Sequence, residues 1–310
     1  MNNSERRHDY QNIEPSTIKE LFAEAYPGEE VVGTKPITTG FTNSNIKVDL
    51  KSARSVVLRI QTSGIEKYKV EANALETVRN TVSVPKVLFQ SERWDSIGYP
   101  VMVVEYVDGV LLENALSSDE VNFDYYLIGS SVAETLAAIF EHDFQEPVYR
   151  TEDYFKFVEH ALSQISNSNI LDSSTIKRID TLIQKNSALV ESCYSKLGLV
   201  HSDFKPDNII VDSDGTKVVA VIDWEWAHKG TVFSDIGNFL RFKDSYPVEL
   251  TTGFTNRFNE LTGLLRDDWE KKASLIDLTA HLEKIISFKQ RTEHNRTSVD
   301  IIMRTLNQYG

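Results

Sequence analysis

Four polar residues in the second half of the chain have the types and spacing that suit chemistry on phosphate groups. Asp203 is followed by Lys205 and Asn208, and Asp223 comes after a short apolar stretch. A carboxylate and an amide oxygen, here Asp223 and Asn208, are hard ligands that suit Mg²⁺, which keeps its waters and bridges phosphates. Asp203 could accept a proton from a hydroxyl group, and Lys205 offers a point charge for a phosphoryl group. Together these residues predict phosphoryl transfer from ATP.

A predicted β-hairpin would bring these residues together. Two β-branched runs, Ile209–Val211 and Val218–Ile222, flank the turn signal Ser213–Thr216, in which Asp214 and Gly215 tolerate the backbone angles of a tight reversal. Folding the segment about this turn places position 208 roughly opposite 221 or 222. We therefore expect Asp203, Lys205, Asn208 and Asp223 to converge at the open end of the hairpin.

The same segment resembles the aminoglycoside phosphotransferase and choline kinase group of small-molecule kinases. The usual pattern of that group is H-G-D-x-x-x-x-N, followed by I-D-W/F-E, a glycine and an aspartate. The matching positions in this chain are His201, Asp203, Asn208, Ile222-Asp223-Trp224-Glu225, Gly230 and Asp235. The resemblance implies an α+β, two-lobed protein-kinase-like fold, with a small antiparallel-sheet lobe carrying one or two helices and a larger, mostly helical lobe. It implies an N-terminal nucleotide-binding lobe over residues 1–104, a hinge over 105–109 and a C-terminal catalytic and substrate-binding lobe over 110–310.

The pattern of apolar residues agrees with that division. Strands are predicted near Ile37–Thr39, Ile46–Val48, Ser55–Gln61, Lys86–Gln90 and Pro100–Val107, and helices over Pro15–Tyr26 and Lys67–Asn80. From Asn122 onward the periodicity is almost entirely helical. We also expect Asp235 to cap a helix from Ile236 to Phe242 and to brace the loop that carries Asp203.

The resemblance also implies roles for individual residues. Asp203 would be the catalytic base, Lys205 would contact the γ-phosphate, and Asn208 and Asp223 would bind Mg²⁺. The remaining nucleotide-binding positions are Gly40, Thr42 and Ser44 in a turn over the phosphates, Arg59 on the third strand, Glu71 as the partner of Arg59, and the backbone of Glu105 and Val107 at the adenine. Glu66 is the alternative partner of Arg59. His201 is expected to support the loop rather than to react.

Two positions depart from the usual pattern of the group. Arg59 stands where most kinases have lysine; arginine stays charged, but its reach and geometry differ. Ser202 stands where the group has glycine, so serine would be strained if this position needs an unusual backbone angle.

Composition limits the choice of partners and compartment. The 310 residues are 41% hydrophobic and 25% charged, with a formal net charge of -13. Such acidity opposes binding to nucleic acid and favours a cationic substrate. The alternative is that the acidic side chains only keep the protein soluble. One cysteine, Cys193, excludes an internal disulfide framework, and no apolar run is long enough for a membrane span. The first ten residues lack the apolar core of a secretory signal. We expect a cytoplasmic protein with no nucleic-acid or membrane partner.

Three enzyme classes are compatible with these motifs: a small-molecule kinase, a serine/threonine protein kinase and a metal-dependent hydrolase. The segment from Asp203 to Asn208 also fits a serine/threonine protein kinase, but Ser202 replaces the arginine of H-R-D, and Asp223 is followed by Trp-Glu instead of Phe-Gly. A hydrolase with His201, Asp203 and Asp223 as metal ligands is the third class. We favour an ATP- and Mg²⁺-dependent kinase acting on a small-molecule hydroxyl, first an aminoglycoside-like antibiotic and second a metabolite such as choline, ethanolamine, a sugar or homoserine.

Overall fold

The chain folds into two compact units in the computed structural model, which describes residues 11–38, 42–118, 123–168, 170–266, 268–287 and 292–310. The first unit runs to Val110 and includes Val219–Trp226, so Asp223 belongs to it. The second unit consists of Leu111–Val218 and Ala227–Gly310, and it carries Asp203, Lys205 and Asn208.

An antiparallel sheet of five strands forms the first unit, with the order β1-β2-β3-β5-β4. Alternate residues of β2, from Ser44 to Leu50, are buried, as expected for a strand with one face on a core. Ile18, Leu21 and Phe22 of the first helix pack into that core. The elements are α1 (Pro15–Ala25), β1 (Val31–Ile37), β2 (Ser44–Leu50), β3 (Ser55–Ile60), α2 (Ile65–Val78), β4 (Val87–Ser91) and β5 (Val101–Glu105).

The first strand is longer than the sequence predicted. β1 begins at Val31, six positions before the expected start at Ile37, and it contains Pro36 opposite Ile46. Proline has no N–H to donate to a sheet ladder and is rare in central strands. β1 lies at the edge of the sheet, however, where the missing N–H leaves no partner unsatisfied.

Helices dominate the second unit. They are α3 (Leu112–Leu116), α4 (Tyr125–Phe140), α5 (Thr151–Ser166), α6 (Ser173–Lys185), α7 (Ser187–Cys193), α8 (Phe233–Leu240), α9 (Val248–Thr262), α10 (Trp269–Ser287) and α11 (Thr292–Tyr309). The short strands after β5 are β6 (Val110–Leu111), β7 (Gly198–Val200), β8 (Ile209–Val211), β9 (Val218–Val221) and β10 (His228–Gly230), and β7 pairs antiparallel with β10. These two units confirm the predicted α+β class. Among the described residues, no helix has the length and apolar character needed to cross a bilayer.

Two glycines allow α4 and α9 to pack closely. A Cβ on Gly129 of α4 would lie 2.1 Å from the backbone oxygen of Leu250, and one on Gly253 of α9 would lie 2.2 Å from that of Tyr126. Both distances are far below a van der Waals contact, and both neighbours are backbone atoms that cannot rotate away. The contact between these helices therefore requires glycine at both positions.

The turn between β8 and β9 reverses the chain where the sequence predicted. The backbone N–H of Asp212 donates to the carbonyl of Lys217 at 3.0 Å, and Gly215 has φ +66°. The Asp212 carboxylate accepts hydrogen bonds from the N–H groups of Thr216 and Lys217 at 2.8 and 3.1 Å. An aspartate side chain that bonds to the backbone of its own turn fixes that turn.

Candidate active site

The loop between β7 and β8 brings three predicted site residues of the second unit together. Asn208 ends a single 3-10 turn that begins at Pro206, and its side chain points back along the loop. Its Nδ2 donates to the Asp203 carbonyl at 2.8 Å and to Asp203 Oδ2 at 2.9 Å. Since both of these bonds use the amide nitrogen, the Asn208 amide oxygen remains a candidate metal ligand.

Lys205 is an ion-pair partner of Asp203. Its Nζ lies 3.2 Å from Asp203 Oδ2 and 3.1 Å from Asp207 Oδ2. Burial alone would raise the pKa of Asp203, but the charge of Lys205 prevails and holds that pKa below its usual range. Burial likewise opposes the charge on Lys205, and Asp203 and Asp207 raise its pKa above the ordinary value. At neutral pH, Asp203 is therefore an ionised carboxylate that can accept a proton.

The backbone before Asp203 is held by a buried carboxylate. Asp235 accepts hydrogen bonds from the N–H groups of His201 and Ser202, both at 2.7 Å. His201 is buried, and its Nδ1 accepts the N–H of Asp203 at 3.2 Å. Burial raises the pKa of Asp235 to about 7, although the two N–H bonds lower it. The geometry gives Asp235 and His201 the supporting contacts that the sequence suggested.

Two details of this loop differ from simple expectation. α8 begins at Phe233, so Asp235 lies inside its first turn and does not precede the helix as a cap. Ser202 has φ +67°, in the left-handed region that favours glycine. The serine that replaces the glycine of the resembling kinases therefore carries the backbone strain that the sequence raised as a concern.

Arg59 is the centre of a second cluster, which lies in the first unit. It projects from β3, is 9% exposed, and donates from Nε to Glu71 Oε2 of α2 at 2.8 Å. Its Nη2 pairs with Oδ1 of Asp223. Burial opposes the charge on Arg59, but Glu71 and Asp223 raise its pKa above the ordinary value. Burial raises the pKa of Glu71, with Arg59 acting against that rise. Glu71, and not Glu66, is the residue that pairs with Arg59.

Glu225 is a residue to which the sequence gave no role. It is 1% exposed, and its Oε2 accepts three hydrogen bonds within the first unit. The donors are Asn43 Nδ2 at 3.0 Å, Gln61 Nε2 at 2.9 Å and Ser63 Oγ at 2.7 Å. These bonds hold the Glu225 side chain against the residue before β2 and residues just after β3. Asp223, two positions earlier, has φ +70°, an unusual backbone angle for an aspartate. The I-D-W-E motif was the only sequence signal for this contact.

The other predicted nucleotide-binding residues have varied surroundings. Gly40 lies outside the described residues, and the Thr42 carbonyl accepts a hydrogen bond from Thr62 Oγ1 at 2.6 Å. Ser44 is buried at the start of β2, and its Oγ accepts the N–H of Gln11 at 2.8 Å. Glu105 ends β5, and its N–H donates to the carbonyl of Lys86 at 2.9 Å; Val107 follows that strand. Their roles at the nucleotide stay predictions.

A comparison with protein families decides which group the chain is part of. The family model described as "Phosphotransferase enzyme family" matches residues 33–275, well over half of the chain. This chain belongs to the phosphotransferase enzyme family. The predicted family resemblance is therefore confirmed.

Curated relatives of this phosphotransferase are distant and much longer. It is 28% identical over 163 residues to "Acyl-CoA dehydrogenase family member 11" of Mus musculus, which covers 51% of this chain and 21% of the relative. The chain spans about a fifth of the length of the curated relatives it matches.

Solved structures with the same fold cover nearly the whole phosphotransferase. The GDP and kanamycin complex of APH(2")-IIia has a TM-score of 0.74 at 17% identity and covers 95% of this chain and 99% of the other. The putative fructosamine-3-kinase of Thermobifida fusca has a TM-score of 0.67 at 16% identity, covering 95% and 100%. These similarities confirm the predicted two-lobed, protein-kinase-like fold.

The predicted site residues of this phosphotransferase thus divide between the two units, with Asp203, Lys205 and Asn208 in the second and Arg59, Glu71 and Asp223 in the first. Asn208 belongs to the second unit and Asp223 to the first, and their predicted proximity stays a prediction. Within the described ranges, no group of three or more His, Cys, Asp or Glu side chains could hold a metal by itself. Mg²⁺ in nucleotide enzymes does not need such a cage, because it is held by one or two carboxylates together with phosphates and waters.

Proposed function

We propose that this phosphotransferase is an ATP- and Mg²⁺-dependent kinase that phosphorylates a hydroxyl group of a small molecule. The observation that carries the proposal is the environment of Asp203. Its carboxylate is kept ionised by Lys205 at 3.2 Å and oriented by the amide of Asn208 at 2.9 Å. An ionised carboxylate in a fixed position is what removal of a proton from an acceptor hydroxyl requires.

Asp203 acts as the general base in this proposal. It accepts the hydroxyl proton as the acceptor oxygen attacks the γ-phosphorus, while the bond from that phosphorus to the β,γ-bridging oxygen breaks and ADP leaves. A base of this kind contributes about 10²–10⁴-fold to the rate. Lys205 neutralises part of the negative charge of Asp203 and Asp207, and its ammonium group can also contact an oxygen of the transferred phosphoryl group. The low pKa of Asp203 keeps it ready to accept a proton at neutral pH.

The donor set of the chain fits Mg²⁺. Asn208 and Asp223 supply an amide oxygen and a carboxylate, and Glu71, Asp223 and Glu225 surround the single guanidinium of Arg59 within the first unit. That cluster of ionisable groups has more negative than positive charge, which a divalent cation would offset. When bound with ATP, Mg²⁺ would neutralise the charge that develops on the phosphates. Arg59 would pair with the α- and β-phosphates while Glu71 orients it, and Gly40, Thr42, Ser44, Glu105 and Val107 complete the proposed nucleotide site.

The acceptor proposed first is an aminoglycoside-like, cationic molecule. The net charge of -13 favours approach of a cation, and the similar APH(2")-IIia has been solved with kanamycin. A sugar or amino-alcohol metabolite is the second candidate, because the similar Thermobifida fusca protein is a putative fructosamine-3-kinase.

The test is a coupled assay of ADP release over aminoglycosides, macrolides, choline, ethanolamine, sugars and homoserine. We expect Asp203→Asn to lower kcat about 10²–10⁴-fold. Asp207→Asn is the matched control, because Asp207 also pairs with Lys205 but forms no hydrogen bond with Asn208. Wild-type turnover by Asp203→Asn would refute the assignment of the base, and ADP release with a peptide alone would favour a protein kinase.

A second measurement tests the metal. Calorimetric titration with ATP, with and without Mg²⁺, should show Mg²⁺-dependent binding in the wild type and loss of that dependence in Asp223→Asn. Normal affinity of the variant for MgATP would contradict the role of Asp223.

A further inference from the structure

Ser202, the residue before the proposed base, is held by side chains on both sides of its backbone. Its N–H donates to Asp235 Oδ1 at 2.7 Å, and its carbonyl oxygen accepts a hydrogen bond from Asn238 Nδ2 at 3.1 Å. Asp235 and Asn238 are three positions apart on α8, so both project from the same side of that helix. Since Ser202 has φ +67°, these two contacts fix a backbone angle that serine would not adopt by preference.

Asn238 is itself fixed in one orientation. Its Nδ2 also donates to the carbonyl of Ser234 at 3.2 Å, and its Oδ1 accepts a hydrogen bond from Arg241 Nη2 at 2.6 Å. A guanidinium only donates and a carbonyl only accepts. If the amide were rotated by half a turn, its NH₂ group would face the donor Arg241, and its oxygen would face the carbonyl oxygens of Ser202 and Ser234. Arg241 thereby determines that the Asn238 amide presents its NH₂ group to Ser202.

A buried ion pair holds Arg241 in turn. Its Nε donates to Asp277 Oδ2 at 3.0 Å and its Nη2 to Oδ1 at 2.6 Å, and both residues are 7% exposed. A fork of this kind between guanidinium and carboxylate fixes geometry as well as charge. Burial opposes ionisation of Asp277, but Arg241 and His281 hold its pKa below the usual range, so the pair stays charged. Asp277 Oδ2 also lies 3.2 Å from Nε2 of His281, and Nδ1 of His281 lies 3.4 Å from the hydroxyl of Ser298 on α11.

We infer that Asn238 is a positioning residue for phosphoryl transfer, acting through the backbone of Ser202 on the side chain of Asp203. The Arg241–Asp277 pair sets the orientation of the Asn238 amide, and the amide holds the carbonyl of Ser202. This role rests on the proposed function of Asp203 as the base. A purely structural Asn238 would stabilise the fold without changing the rate of the folded enzyme.

The experiment compares two buried substitutions. Asn238→Asp keeps an acceptor for Arg241 but replaces the donor to Ser202 with an oxygen. Tyr154→Phe is the control, because it removes a buried hydrogen bond to the Leu275 carbonyl, 2.9 Å long, from the same unit without contacting the loop.

ADP release from MgATP is measured with the most active acceptor of the screen or, if none is active, with water as the acceptor. We expect Asn238→Asp to lower kcat about 10–100-fold with little change in KM for ATP, because misplacing a catalytic group by an ångström has effects of that order. Tyr154→Phe should keep wild-type kcat.

A third substitution separates a positioning role from a structural one. Glycine adopts positive φ as readily as negative φ. With glycine at position 202, the hydrogen bond from Asn238 is no longer required to hold the positive φ. In the Ser202→Gly background, Asn238→Asp should therefore lower kcat by a smaller factor than it does in the wild type. An equal loss in both backgrounds would overturn the inference, as would equal kcat values for Asn238→Asp and Tyr154→Phe. Should Asn238→Asp fail to fold, Asn238→Ser removes the same contact without adding charge.

Measuring Asp203→Asn in the same assay separates the proposed role of Asp203 as the base from the positioning role of Asn238. Wild-type turnover by Asp203→Asn, or no turnover by the wild type with any acceptor or water, would refute the proposed function and this inference together. Loss of turnover in Asp203→Asn with full turnover in Asn238→Asp would refute only the positioning role.

Discussion

His281 makes the stability of the protein depend on pH in a direction that can be calculated. It is 1% exposed on α10, and burial lowers its pKa from 6.5 to about 4 despite the attraction of Asp277. Arg241 and Lys284 also disfavour its charged form. Because Asp277 is ionised and can only accept, the neutral imidazole must carry its proton on Nε2, which leaves Nδ1 to accept from Ser298.

The magnitude follows from proton linkage. Below pH 6.5 the unfolded chain protonates His281 while the folded protein does not, so the free energy of unfolding falls as the pH falls toward 4. Each pKa unit corresponds to about 1.4 kcal/mol, which gives a loss of about 2 kcal/mol between pH 7 and pH 5 and a limit of about 3 kcal/mol below pH 4. Below the folded pKa the loss stops growing, because both states are then protonated.

Comparison with His281→Gln isolates this contribution. The glutamine amide can donate to Asp277 as Nε2 does, but it does not titrate. Urea unfolding of both proteins at intervals from pH 7 to pH 4.5 should show the wild type losing about 2 kcal/mol more than the variant by pH 5. Parallel pH dependences for the two proteins would refute the reasoning, and so would an NMR titration of His281 with a midpoint near 6.5.

Three other substitutions test separate parts of the structure. Lys205→Met removes the charge that lowers the pKa of Asp203, so the acidic limb of the kcat/KM profile should move to higher pH; an unmoved limb would show that Lys205 does not set that pKa. Glu225→Ala leaves two buried donors, Asn43 and Gln61, and the half-buried hydroxyl of Ser63 without their acceptor, and it should lower the free energy of unfolding by about 3 kcal/mol, measured by urea unfolding. Gly129→Ala places a methyl group against the Leu250 carbonyl and should cost about 1–3 kcal/mol, visible as a lower Tm; an unchanged Tm would contradict the close helix contact.

The contacts within the loop from His201 to Asn208 were predictable because they are local. Asp203 and Asn208 are five positions apart, and their side chains meet within one loop at 2.9 Å. The turn at Gly215 was predictable for the same reason, because the backbone preferences of Asp and Gly determine a turn within four residues. The partner of Arg59 was also within reach of the sequence, because Glu71 lies on the next helix at a position that periodicity can orient.

The contacts around Asn238 could not be predicted in the same way. Arg241 and Asp277 are 36 positions apart, and a charged residue on an amphipathic helix is ordinarily read as solvent-exposed. Nothing within α10 distinguishes Asp277 from a surface aspartate until the end of α8 supplies the guanidinium. The contacts of Glu225 with Asn43, 182 positions away, depend on tertiary structure for the same reason.

A buried arginine has the same physical role in both units. Arg59 uses Nε for Glu71 and Nη2 for Asp223, and Arg241 uses Nε for Asp277 and Nη2 for both Asp277 and Asn238. A planar guanidinium directs its donors along fixed axes and stays charged when buried, whereas a lysine ammonium is a point charge on a flexible stem. Arginine at position 59 therefore serves two partners in fixed directions, which gives a physical reason for its presence where most kinases have lysine. Each arginine thereby sets the direction of a side chain beside it, Asp223 in one unit and Asn238 in the other.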